Sequence, residues 1–109
     1  MKLSAIAATL LLSMTGAAVG QDLPTFTLVL KNHVYHPDEL KVPAGTKFKL
    51  IVRNEDPTPE EFESTDFNRE KIVLPNTSMT VYVGPLRAGS YRFFGEFHQA
   101  TAQGRLIAE

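Results

Sequence analysis

"VPAGTKFKLIVRN", residues 42–54, opens as a turn and continues as a strand. Pro43 fixes φ and Gly45 tolerates positive φ, which is turn chemistry. From there Lys47 and Lys49 alternate with Phe48, Leu50 and Val52, the period-two pattern of a strand with one face in a core and the other in water. The same alternation recurs on both sides. "TFTLVL" sets Phe26, Leu28 and Leu30 on one face, and "SMTVYV" does so with Met79, Val81 and Val83. "ELKV" and "KIVLP" add short strands, "PLRAGSYRFF" is a glycine-containing turn leading into an aromatic strand, and "GRLIAE" closes the chain. No helical period interrupts this series, so about seven short strands predict an all-β, antiparallel Greek-key β-sandwich or barrel.

One segment breaks the rhythm. "NEDPTPEEFESTDFNRE", residues 54–70, holds two prolines and seven acidic residues, a composition that predicts a long exposed loop with a short extended piece at "EEFES". Loops held by a rigid scaffold are where binding residues concentrate. In an extended "EEFES", Glu61 and Glu63 share one face while Glu60 and Phe62 take the other.

The first twenty residues, "MKLSAIAATLLLSMTGAAVG", carry one positive charge, then an apolar run, then small residues before Gln21. This is the pattern of a secretory signal peptide over residues 1–20, and the run is short of the roughly 20 apolar residues of a spanning helix. The expected product is an exported, periplasmic domain over residues 21–109, large enough for one core. Beyond Lys2 the chain has ten Lys and Arg against twelve Asp and Glu, which gives no basic footprint for nucleic acid. It has no cysteine, so neither a disulfide nor a thiolate ligand is available.

The order "VPAGTKFKLIVRN", a loop proline, "GPLRAGSYRFF" and "FHQATAQG" before the last strand resembles the cupredoxins over nearly all of the exported chain. In a blue-copper member of that family the first ligand is a His after the loop proline; here Pro59 is followed by Glu60, Glu61, Phe62 and Glu63. Gly95 stands where the resemblance expects Cys and Gln103 where it expects Met, so only the second His is kept, as His98. The resemblance therefore argues against type 1 copper electron transfer. "EEFES", "NREKIVLP", "VGPLRAGSYRFFGEFH" and "TAQG" are similar to a narrower group, the EfeO-type cupredoxin-like domains of bacterial ferrous-iron permease systems. That likeness implies a periplasmic protein that binds Fe(II), assists its oxidation and works beside a membrane iron permease.

Carboxylates with an imidazole form a hard-to-borderline donor set that suits iron better than Cu(I). In the cupredoxin frame the loop after "VRN" meets the loop after "YRFF", which would bring Glu61 and Glu63 to His98 as the natural ligand set, with Glu60, Glu96 and His33 as further candidates. His36 looks incidental. The ion could be iron or copper, and such a site serves equally to oxidise iron or to hold it and pass it on. Two other readings stay open: a non-catalytic copper or iron carrier, and an interaction module that has lost its metal. Taken singly, each of these acids also fits a solvated loop, and each histidine an exposed surface position.

Overall fold

The computed structural model describes residues 22–109; the leader reading falls on residues 1–20 and lies outside them. Nine strands follow one another in this region: β1 (Thr25–Lys31), β2 (Val34–His36), β3 (Glu39–Val42), β4 (Phe48–Asn54), β5 (Glu60–Ser64), β6 (Arg69–Val73), β7 (Ser78–Val83), β8 (Gly89–Gly95) and β9 (Gln103–Ala108), with a 3₁₀ turn at Glu96–His98. They build two sheets, β2-β1-β4-β7 and β3-β9-β8-β5-β6, stacked as an all-β sandwich. The expected alternation holds: Leu28, Leu30, Phe48, Leu50, Val52, Val81 and Val83 of the first sheet meet Phe62, Val73, Phe93 and Leu106 of the second in one core.

Three features differ from the sequence expectation. The strands number nine rather than about seven, because β2 is too short for a period to register and "EEFES" is a full strand. Pairing is not purely antiparallel: β1 runs parallel to β4, and β3 parallel to β9, since β2 and β3 intervene and β3 belongs to the opposite sheet.

The third difference concerns the acidic segment. β5 pairs with β6 along its length and with β8 at Phe62–Gly95 and Glu63–Phe94, so it lies inside the five-stranded sheet rather than on an exposed loop. Phe62 is fully buried and edge-on to Tyr35 at 6.0 Å between ring centroids. Ser64 Oγ donates to the Arg92 carbonyl at 2.6 Å and accepts from the Phe67 N–H at 3.2 Å. One buried aromatic and a satisfied serine thus outweigh the loop-like composition around them.

On the open side of the sandwich, β6 and β7 are the edge strands of the two sheets. Arg69 and Lys71 alternate in register with the buried Val73 on β6, but at this edge both are exposed. Arg69 Nε donates to the Tyr82 carbonyl at 2.9 Å and Lys71 Nζ to that of Thr80 at 3.2 Å.

Candidate functional site

The candidate residues separate onto the two sides of β5. On the inner side Glu60 is 1% exposed. Its Oε1 accepts the backbone N–H groups of Glu61 at 2.9 Å and Phe97 at 2.7 Å, and its Oε2 accepts His98 Nδ1 at 2.7 Å. An acceptor-only carboxylate fixes the proton on Nδ1 and leaves Nε2 for the outside.

His33 completes this end. Asn32 and His33, at φ 54° and 59°, form the two-residue turn between β1 and β2, a left-handed pair that suits the twist of a hairpin. Asp56 holds that turn: its carboxylate accepts the N–H of Asn32 at 2.6 Å and of His33 at 2.9 Å, with His33 Nδ1 3.5 Å away. Asp56 is itself placed by Asn54, whose Oδ1 accepts its N–H at 2.9 Å and whose Nδ2 donates to the Thr58 and Val73 carbonyls. The His33 ring lies on the His98 ring, centroids 3.6 Å apart and planes 13° from parallel. The lone pairs of stacked rings lie in nearly parallel planes that do not meet nearby, so the two imidazoles do not converge in-plane on one ion in this arrangement.

Tyr35, below Glu60, is fully buried and its hydroxyl has no hydrogen-bond partner among the described residues. Burial, and then the charge of Glu60, push its pKa far above the ordinary phenol value.

Glu61 and Glu63 point to the outer face of the sheet and meet not His98 but Glu70, their neighbour on β6. Carboxylate oxygens of Glu61, Glu63 and Glu70 all lie within 4.8 Å of one another, a consequence of the Glu63–Glu70 register. A hydrogen bond with Glu70, then desolvation and the charges of Glu70, Glu63 and Glu96, push the Glu61 pKa up to about 7. Glu63 is raised as well, by desolvation first and then by Glu70 and Glu96. Glu96, exposed at the start of the 3₁₀ turn, thus borders the outer group. Among the described residues none of these four acids has a Lys, Arg or His within ion-pair distance.

The expected set of Glu61, Glu63 and His98 is therefore divided: period two gives which residues share a face but not which face meets a distant loop. Glu60 is the acid at His98, and Glu96 goes with the outer acids. Sequence reading missed Glu70, Asp56 and the burial of Tyr35. Glu70 had a signal, since "TDFN" between "EEFES" and "REKIV" is a four-residue hairpin connection that sets the acidic strand beside the one carrying Glu70.

The space expected for a cysteine at position 95 is already filled. A Cβ on Gly95 would lie 2.6 Å from both Cδ and Oε2 of Glu60 and 2.9 Å from Ala102 Cβ.

Comparison with known proteins agrees with the architecture. An uncharacterized protein of Rickettsia prowazekii (strain Madrid E) is 49% identical over 80 residues, covering 73% of this chain and 64% of that protein; the chain thus spans about two thirds of its relative's length. Among solved structures, amicyanin from Paracoccus versutus matches with a TM-score of 0.61 at 19% identity over 85% of this chain and 87% of that one. Auracyanin A, a blue copper protein from Chloroflexus aurantiacus, matches at 0.66 and 14% identity over 78% and 98%. A purple cupredoxin from Nitrosopumilus maritimus matches at 0.59 and 19% over 76% and 98%. These likenesses concern the fold. The profile of the cupredoxin-like domain covers residues 2–108, and with the two-sheet sandwich this makes the chain a member of the cupredoxin-like domain family.

Proposed function

We propose that this protein is an exported, periplasmic metal-binding domain serving iron uptake, which takes Fe(II) as cargo on the outer face of its five-stranded sheet and delivers it to a membrane permease. The observation that carries this reading is the group of Glu61, Glu63 and Glu70, with oxygens within 4.8 Å of one another and a proton retained on Glu61 up to about pH 7. Clustered carboxylates without a basic partner repel one another, and a divalent cation relieves that repulsion. An all-oxygen set suits Fe(II), Mn(II) and Fe(III) and is poor for Cu(I). Anionic oxygens stabilise Fe(III) more than Fe(II), so the same residues favour electron loss from bound iron.

Anaerobic Fe(II) titration of the mature domain, with Mn(II) as a redox-inert probe, tests this. Glu61→Gln and Glu70→Gln are each expected to weaken binding by more than the 10- to 100-fold typical of groups acting through another ligand, while His98→Ala changes it little. Binding lost in His98→Ala and kept in Glu61→Gln would return the site to the imidazoles. No saturable binding at all would favour the interaction-module reading.

A further inference from the structure

Auracyanin A is a blue copper protein, and a copper ion at the matching end of this sandwich would need converging donors and room between them. Neither is present. The chain has no cysteine, Nδ1 of His98 is engaged by Glu60 at 2.7 Å, and the parallel imidazoles do not converge. The Glu60 carboxyl fills the place into which a side chain at position 95 would project, 2.6 Å from its Cβ. Copper does not fit these residues.

From this disagreement we infer that Glu60 is an internal substitute for the ion, a positioning residue that ties β5 to the 3₁₀ turn after β8 and closes this end of the fold to metal. A coordinating ion would hold two loops through bonds to their side chains. Glu60 does so through hydrogen bonds: one oxygen takes the N–H groups of Glu61 and Phe97, the other takes His98. Three N–H donors, two from the backbone and one from His98, converge on the carboxyl and hold it without a counter-ion from solution. Gly95 is the complementary half of the device, because only a residue without Cβ leaves room for the carboxyl. His98 is set with its Nδ1 proton inward, and cargo is confined to the outer face. The inference is read in the metal-free protein, so it stands or fails independently of the iron reading.

The test uses the apo mature protein and three variants. Glu60→Gln keeps the shape and can still accept the two backbone N–H groups, but it presents an NH₂ to His98. The ring should then change tautomer, its proton moving from Nδ1 to Nε2, as read from the imidazole ¹⁵N shifts. Glu60→Ala should lower Tm by on the order of 10 °C or more, since it orphans buried donors, and added Cu(II) should not restore it. Gly95→Ala should lower Tm strongly in the native background and by less than half as much on top of Glu60→Ala, because the two closest atoms it strikes, both of Glu60, are then gone and only the looser contact with Ala102 Cβ remains. An unchanged His98 tautomer in Glu60→Gln, or equal Gly95→Ala losses in both backgrounds, would overturn the inference. So would displacement of Glu60 in the native protein by one equivalent of Zn(II), seen as loss of the His98 Nδ1 proton and a shifted Phe97 amide.

Discussion

Glu60 and Glu61 are neighbours in sequence and opposites in circumstance. Glu60 accepts three hydrogen bonds, whereas Glu61 faces other carboxylates and holds its proton up to about pH 7. The raised value has a definite sign in stability. A carboxyl whose folded pKa exceeds its ordinary 4.5 contributes stability below about pH 4.5 and loses it as pH rises through about 7. Apo Tm should therefore decline across that window, and Glu70→Gln should flatten the decline by removing the first cause of the shift. With Mn(II) bound the decline should vanish, and binding should release protons near pH 6, measurable by calorimetry in buffers of different ionisation heat. At this scale the sequence disclosed that Glu61 and Glu63 share a face and that His98 is a candidate. It did not disclose that Glu60 would claim His98, because that depends on where β8 and its turn lie in space.

A strand can be hidden by its composition. β5 sits among prolines and acids, and only the burial of Glu60, Phe62 and Ser64 reveals it; a five-residue period-two signal with two polar inner positions does not stand out from a loop. The long apolar strands β1, β4 and β7 were legible because hydrophobic alternation over six or seven residues rarely arises outside a half-buried strand. The β1–β2 turn shows how one element places another's side chain. Asp56 grips the Asn32 and His33 N–H groups, and through them it keeps the His33 ring on His98. Asp56→Ala leaves both donors without that partner and should cost about 2–4 kcal/mol in denaturant unfolding. The ring-current shifts of both imidazoles should collapse toward free values, whereas Asp56→Asn should keep part of each.

One apolar core, two paired sheets and the hydrogen bonds to Glu60 at the loop end hold the described domain together. The domain over residues 22–109 should therefore melt cooperatively after chelator treatment, as followed by circular dichroism, and should stay pale when Cu(II) is added, since intense blue colour requires thiolate sulfur. A random-coil apo spectrum, or a strong blue band, would contradict these expectations. The sandwich itself was foreseeable from spacing and turn residues, but its parallel pairs were not, since strand direction follows from which sheet each crossover reaches.

The Arg69 and Lys71 bridges have a consequence for life in a crowded compartment. An unpaired edge strand is a template on which another chain can add its own strand. Here the outward carbonyls of Thr80 and Tyr82 already receive charged donors from β6, so an incoming strand would have to displace them and bury their charge. The two basic residues act as a guard against polymerisation. Replacing both by Ala should leave the monomer folded yet speed its self-association on storage, detectable by light scattering and by thioflavin fluorescence; the single variants should fall between.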